Sequence, residues 1–247
     1  AAYNINLALR LLARGEPDLG QQVVANDIAF GPQARIFVLT GPNQGGKTTF
    51  TQAIGLVHVL AQAGLYVPGT RAQISPVDGI YTHFPVEERP ESEAGRLGEE
   101  SKRLSEVFAR ATPYSLVLLN ESLASTSAGE SLYLAWDIVR ILRLMGTRAI
   151  YATHLHELAA RVDELNAETP GDSRVCSLVS LVDATASENG SGGELRQTYR
   201  IVAGPPRGRS YAREIAARYG ISYAQLVETL RQRGIVGDVS DPGDEQP

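Results

Sequence analysis

Residues 41–48 have types and spacing that could support chemistry on a polyphosphate. They read GPNQGGKT and fit the pattern G-x-x-x-x-G-K-[ST] of a phosphate-binding loop, or P-loop. Glycines at this spacing let backbone N–H groups surround the phosphates, Lys47 adds a positive charge, and Thr48 offers a hydroxyl to Mg²⁺. A β-prone stretch at 36–39 precedes the loop and a helical pattern at 48–63 follows it, which is the order that such a site requires.

Two further reactive side chains follow short apolar runs. The run at 116–119 is fully apolar, as expected of a central parallel strand, and it is followed by Asn and then Glu121. Residues 148–152 predict another buried strand, which is followed by Thr and then His154. Because ligands bind beyond the carboxyl ends of parallel strands, we expect Lys47, Glu121 and His154 to lie at one edge of the sheet.

These side chains match what phosphoryl transfer to water needs. Lys47 and the loop amides would hold the phosphates, and Thr48 would take Mg²⁺. Glu121 would orient or deprotonate water, and His154 would contact the γ-phosphate. Each has a simpler interpretation when taken alone: the loop could be a glycine-rich turn, Glu121 a solvated strand end, and His154 a structural histidine. Their common position in one fold favours the catalytic interpretation.

The composition is that of an α/β protein. With 247 residues, 43% of them hydrophobic, we expect one large domain. The net charge of −5 argues against a surface that binds nucleic acid by overall charge, and the single Cys176 excludes an intramolecular disulfide or a multi-cysteine metal site. No run of about 20 apolar residues and no signal peptide occur, so we expect an intracellular protein without membrane contact.

The remaining pattern alternates strands with helices. Further strands are predicted at 23–30 and 36–40, as a short pair within 72–84, and as an antiparallel hairpin of 175–184 with 195–202. Helices are predicted from residue 96 to before Pro113, at 129–145, 211–219 and 222–233, with Ser222 as an N-cap, and 85–93 reads as a mobile loop. This predicts an α/β fold with a mostly parallel central sheet, an antiparallel β layer and a C-terminal helix pair.

Three segments together resemble the ATPase domain of the MutS family of DNA mismatch repair proteins. They are TGPNQGGKTTF, SLVLLNESLASTSAGESLYLAWD and ATHLHEL, and their order and spacing match the family over roughly residues 20–235. Asn43 and Gln44 make the resemblance more specific than a general P-loop pattern. We therefore expect an ATPase domain at 1–236 and a disordered acidic tail at 237–247; the absence of an initiator Met suggests a fragment of a longer protein.

The resemblance implies a P-loop NTPase of the ABC type that hydrolyses ATP with Mg²⁺ in the cytoplasm. It further implies a homodimer with composite ATP sites and DNA binding through other domains of a parent protein. The implied catalytic residues are Lys47, Glu121 and His154, and the implied magnesium ligands are Thr48 and Asn120. The implied nucleotide-binding residues are Gly41, Pro42, Asn43, Gln44, Gly45, Gly46, Lys47, Thr48 and Thr49.

The sequence departs from the family pattern at three places. Asn120 stands where the family has Asp, so the metal site loses a full negative charge. Either Asn120 still binds a metal-bound water and hydrolysis continues, or the domain senses nucleotide and dimerises with little hydrolysis. The family's G-R-S-T-F segment is replaced at 95–100, which leaves Ser92 and Ser101 as candidates to contact a partner's nucleotide. Val23 replaces an aromatic ring that stacks on adenine.

Two other segments have a functional and a simpler interpretation. Residues 190–195, GSGGEL, resemble the signature loop of ABC transporters, but they follow the switch histidine instead of preceding the 116–119 strand. A hairpin turn is therefore favoured, and a transporter subunit is disfavoured. Arg207, Arg209 and Arg213 could contact DNA phosphates, although a solvated helix start explains them more simply.

Overall fold

A computed structural model describes residues 1–31, 34–85, 95–171, 173–184, 195–206 and 220–235. The strands of these residues form one sheet in the order β2-β3-β4-β1-β5-β6. They are β1 (Ile36–Thr40), β2 (Ile80–His83), β3 (Leu116–Asn120), β4 (Arg148–Ala152), β5 (Val175–Ala184) and β6 (Leu195–Ala203). Pairing is parallel from β2 through β5, and β5 with β6 forms an antiparallel pair, so the fold is α/β as expected.

The described helices lie between and around these strands. They are α1 (Ile5–Ala13), α2 (Leu19–Gln22), α3 (Lys47–Gln62), α4 (Gly95–Arg110), α5 (Ala128–Met145), α6 (His156–Ala160), α7 (Val162–Glu168) and α8 (Tyr223–Gln232). The predicted helices at 48–63, from residue 96, at 129–145 and at 222–233 are confirmed within one or two residues. None of the helices in the described ranges is long and apolar enough to cross a bilayer.

The central strands are buried on both faces because helices cover both. One face presents Val38, Val117, Leu119, Ala149 and Tyr151. The other presents Phe37, Leu39, Leu116, Leu118 and Ile150. Side chains of α4 and α5 join the first cluster, and side chains of α3 join the second. The apolar residues therefore alternate along each strand and fill two cores, which explains why β1 and β3 read as continuous apolar runs.

Strand register sets where the functional segments meet. Leu39 of β1 and Asn120 of β3 both lie opposite Ala152, at the end of β4. The backbone pairing continues just beyond the strands, since Glu121 N donates to Ala152 O and Thr153 N donates to Leu39 O. The segments that follow β1, β3 and β4 therefore leave the sheet side by side.

The prediction of a strand at 23–30 is wrong. Within this range, Asn26 forms an isolated β-bridge with Ala2 in place of a strand. The side chain of Asn26 instead makes the contacts that a strand backbone would make, because its amide donates to Tyr199 O and accepts from Ile201 N of β6. Within 72–84 one strand forms instead of two, since Pro76 and the Asp-Gly turn that follows interrupt the first half.

Helices α1, α2, α6 and α7 were not predicted. For α1 a signal existed, because Asn4 is an N-cap whose side chain accepts from Leu7 N. The other three are short, at four to seven residues, and too brief for apolar periodicity to stand out.

The chain divides into two compact units. The first comprises residues 1–182 with 197–207, and the second comprises 183–196 with 208–247. In the second unit, α8 begins after Ser222, whose backbone N–H and hydroxyl both point to Oε1 of Gln225, so the predicted N-cap is confirmed. The predicted helix at 211–219, most of the 85–93 loop and the 237–247 tail lie outside the described residues.

A buried arginine of α5 gives a test of the packing on the first face. Arg143 is 6% exposed and donates to Leu165 O, Asn166 Oδ1 and Gly171 O. We expect Arg143→Met to lower the free energy of unfolding by about 2–3 kcal/mol, because it removes three hydrogen bonds from a charged donor in a buried site. Arg140→Met on the same helix is the control, because the Arg140 side chain is 46% exposed. This substitution should change the free energy of unfolding by less than about 0.5 kcal/mol. Equal losses of unfolding free energy for the two variants in urea denaturation would contradict a packing role for Arg143.

Candidate functional site

The glycine-rich loop, residues 41–48, connects β1 to the first turn of α3. Gly46 is the N-cap of α3 and has a φ of +86°, in the left-handed region that favours glycine. Gly41 has a φ of +142°, and a Cβ placed there would lie 2.7 Å from Cβ of Ser180. Both positions therefore require glycine. The loop presents the unpaired N–H groups of a helix N-terminus to a cleft lined by residues 43–49, a surface that suits an anion.

Lys47 is buried beneath this loop. It is 5% exposed, and Nζ donates to the carbonyl oxygens of Gly41, at 2.9 Å, and Pro42, at 3.1 Å. Nζ also lies 3.6 Å from Oε1 of Glu121. Burial lowers the pKa of Lys47, and the nearby Glu121 carboxylate partly offsets that effect. The two loop carbonyls and one carboxylate thus hold the ammonium group at the base of the cleft.

Glu121 joins Lys47 to His154. Its Oε2 lies 2.7 Å from Nδ1 of His154. Burial opposes ionisation of Glu121, but the hydrogen bond from His154 and the charge of Lys47 outweigh it, so the pKa of Glu121 lies below its usual value. The same hydrogen bond raises the pKa of His154, which is half exposed. The arrangement is a line of contacts, from the Lys47 ammonium group through the Glu121 carboxylate to the His154 ring, that runs from the loop to the mouth of the cleft.

Thr48 and Asn120 form a second pair beside this line. Thr48 Oγ1 donates to Asn120 Oδ1 at 2.9 Å, and Asn120 is 3% exposed. Both side chains offer neutral oxygen atoms, which are ligands that Mg²⁺ accepts. The residues fit a magnesium ion that takes its remaining ligands from phosphate and water. No group of three or more His, Cys, Asp or Glu residues suited to a metal occurs in the described part of the chain.

The cleft has a volume of about 830 Å³. Its polar floor includes Asn43, Gln44, Gly45, Gly46, Lys47, Thr48, Thr49, Glu121 and His154. Its more apolar wall includes Tyr3, Leu7, Leu11, Val24 and Tyr199. The predicted residues Gly41 and Pro42 are not on the wall; their carbonyls hold Lys47 from behind. Val23 is not on the wall either, whereas the neighbouring Val24 is.

Three side chains of this site were missed by sequence reasoning. Tyr3 and Tyr199 supply the aromatic surface of the cleft, and Tyr199 has a φ of +56°, which alternation along β6 gives no means to predict. Ser180 of β5 is buried and its hydroxyl donates to Gly45 O at 2.5 Å. The parallel pairing of β5 with β1 places Ser180 beside the loop, and no local motif marks it.

Of the other candidate side chains, the described part of the chain includes Ser101, which is not on the cleft wall. Ser101 is exposed on α4, and Ser92 lies outside the described residues, as do Arg207, Arg209 and Arg213. Most of the 190–195 segment is outside them as well; its last residue begins β6.

Comparison with known proteins identifies the group to which this α/β chain belongs. The family model for MutS domain V matches residues 37–226, which include the glycine-rich loop, both strand ends and the hairpin. The chain is a member of the MutS family.

Individual relatives agree with this assignment. The chain is 33% identical over 218 residues to the DNA mismatch repair protein MutS of Chlorobium limicola, and the matched region covers 88% of this chain. It is 31% identical over 215 residues to the DNA mismatch repair protein MutS of Chlorobaculum tepidum, and the matched region covers 84% of this chain. The chain spans 23% and 24% of the length of these two relatives.

The contact between Ser180 and the glycine-rich loop can be tested by stability. We expect Ser180→Ala to lower the free energy of unfolding by about 1–3 kcal/mol, because Gly45 O loses a buried donor. Ser177 on the same strand is the matched control, since its buried hydroxyl has no hydrogen-bond partner among the described residues. Ser177→Ala should be neutral or slightly stabilising. A larger loss for Ser177→Ala than for Ser180→Ala in urea denaturation would contradict the proposed contact.

Proposed function

We propose that this chain is an ATPase domain of the P-loop, ABC type that serves a MutS-like DNA mismatch repair protein. The observation that carries the proposal is the convergence of Lys47, Glu121 and His154 at the helix N-terminus of the glycine-rich loop. A buried cation, 3.6 Å from one oxygen of an ionised carboxylate, and an imidazole, 2.7 Å from its other oxygen, are groups that phosphoryl transfer to water uses.

The glycine-rich loop would bind the phosphates of ATP. The N–H groups at the start of α3 point to the cleft, and the helix dipole favours negative charge there. Lys47 can turn from the carbonyls of Gly41 and Pro42 to the outer phosphates with a small movement of Nζ. The nucleoside would lie along the wall formed by Tyr3, Leu7 and Tyr199, which offers apolar and aromatic surface.

Glu121 and His154 would act on the attacking water. The pKa of Glu121 lies below its usual value, so the carboxylate is ionised and can accept a hydrogen bond from water or take its proton. His154 is half exposed at the mouth of the cleft, where its ring could donate to the γ-phosphate. Because Nδ1 of His154 contacts Glu121, Nε2 is the ring nitrogen that would face the phosphate.

Thr48 and Asn120 would hold Mg²⁺. When bound there, the ion would offset the charge of the phosphates. The Thr48 hydroxyl would supply a direct ligand, and Oδ1 of Asn120 would accept a hydrogen bond from a metal-bound water. Because Asn120 carries no formal charge, we expect weaker magnesium affinity than a carboxylate would give at this position.

The proposed role of the hydrolysis is to control a DNA-bound state. The relatives are named DNA mismatch repair proteins and are about four times as long as the matched region. We propose that DNA is bound by domains outside this region and that two copies form a dimer with composite ATP sites. The net charge of −5 agrees with a chain that does not itself provide a broad DNA-binding surface.

Steady-state turnover tests the proposed ATPase activity. We expect phosphate release that requires Mg²⁺, stops with a chelator, and falls by about 100-fold or more in kcat/KM in Lys47→Ala. Lys102→Ala is the matched control, because the chain's other lysine is exposed on α4. Wild-type turnover no higher than that of Lys47→Ala would refute the ATPase assignment.

A second candidate function is nucleotide-dependent dimerisation with little hydrolysis, and Asn120 favours it. In this case ATP binding alone would drive dimerisation, and the neutral Asn120 would keep turnover low. We then expect Asn120→Asp to raise kcat by at least about tenfold at limiting Mg²⁺. Sedimentation velocity with and without ATP measures dimerisation in the same samples. Unchanged kcat in Asn120→Asp would favour the hydrolytic function, and absence of an ATP-dependent dimer would count against both dimer proposals.

A further inference from the structure

A buried histidine contacts the residue next to Glu121 and has no part in the proposed chemistry. His83 ends β2 and is 1% exposed. Its Nδ1 lies 2.7 Å from the hydroxyl oxygen of Ser122, which is 3% exposed. Since β2 pairs in parallel with β3, His83 lies opposite Leu119 and its ring reaches just past the end of β3.

The backbone on either side of Ser122 has an unfavourable conformation. Glu121 has a φ of +49° and Leu123 a φ of +60°, and neither is glycine. A left-handed conformation is strained at a residue with a side chain, and it persists only where surrounding contacts fix it. The segment 121–123 therefore needs contacts from outside itself to keep this shape.

Four hydrogen bonds supply those contacts. The hydroxyl of Ser131 donates to Leu123 O at 2.7 Å. The hydroxyl of Tyr151 donates to Ser122 O at 2.9 Å, and Glu121 N donates to Ala152 O at 2.8 Å. The contact of His83 is the one made to the Ser122 side chain. Together they hold the backbone N–H of Glu121, the carbonyl and side chain of Ser122, and the carbonyl of Leu123. The direction in which the Glu121 carboxylate leaves the backbone follows from them.

We infer that His83 is a positioning residue. It holds Ser122 and so maintains the left-handed backbone conformations of Glu121 and Leu123 on either side. These conformations direct the Glu121 carboxylate to its position between Lys47 and His154. This inference rests on the proposed ATPase function, because the geometry it protects is that of the group that acts on water.

The chemistry of the contact suits a permanent structural role. Burial, with the charge of Arg103 nearby, lowers the pKa of His83, so the ring is neutral at physiological pH. A neutral ring nitrogen and a hydroxyl can pair in either sense, since one of them always has a proton to give. An asparagine can place an amide atom where Nδ1 lies and keep this contact, whereas leucine fills similar space without it.

Kinetics of the variants His83→Leu and His83→Asn test the inference. We expect His83→Leu to lower kcat by about 10- to 100-fold, because a displaced carboxylate no longer aligns with the water. The Kd for ATP should stay within about twofold, since the glycine-rich loop is untouched. His83→Asn should recover most of kcat. Ser122→Ala removes the contact from the other side with a smaller change in packing, and should reproduce the loss if His83→Leu does not fold.

A second buried histidine provides the matched control. His58 is buried in α3, with Nδ1 2.9 Å from Ile54 O, and it is not on the wall of the cleft. His58→Leu should lower stability without a selective loss of kcat in the folded protein.

The possible results separate the two proposals. If wild-type turnover does not exceed that of Lys47→Ala, the ATPase function fails and this inference fails with it. If the wild type is active and both His83→Leu and Ser122→Ala keep its kcat, the positioning role alone is refuted. A loss of ATP affinity and stability in proportion to kcat would also refute it, because that pattern indicates a general packing defect.

Discussion

Parallel pairing of β4 with both β1 and β3 brings three chain segments together at one edge of the sheet. Leu39 and Asn120 share Ala152 as their neighbour, and backbone hydrogen bonds continue for one residue past the strand ends. The relative positions of Lys47, Glu121 and His154 follow from this register, because each belongs to a segment that leaves one of these strands. A shift of register by one residue would also exchange the two faces of the strand and place each side chain in the wrong core, so the packing of the two cores protects the site geometry.

Charge balance is the second constraint on the site. Removing an ammonium group from water is costly unless polar partners replace the water, and Lys47 has two carbonyls and a nearby carboxylate. The same carboxylate also accepts a hydrogen bond from His154, so Lys47 and Glu121 both have polar partners. In the proposed function, a polyphosphate entering the cleft competes with Glu121 for Lys47 and thereby leaves the carboxylate freer to act on water.

Much of this could be predicted from local pattern. Continuous apolar runs predicted β1, β3 and β4, and the polar residues after them predicted which side chains would meet, since strand ends in a parallel sheet coincide. Prediction failed where side chains replace backbone pairing or where distant segments touch. Residues 23–30 look like a strand, yet the Asn26 amide binds β6 in place of a backbone ladder. Contacts of Ser180 and His83 depend on strand order, which no local pattern encodes.

The glycine-rich loop is held mainly by residues outside its own motif. Ser180 binds Gly45 O from β5, and the side chain of Asn4 donates to Thr49 O from the segment that precedes α1. Asn26 fixes the backbone of Tyr199 beside Gly46. The motif specifies which backbone N–H groups are available, but these neighbours restrain where they point. A sequence with the same eight loop residues and different neighbours would keep the ability to form the loop and lose these restraints on where its N–H groups point.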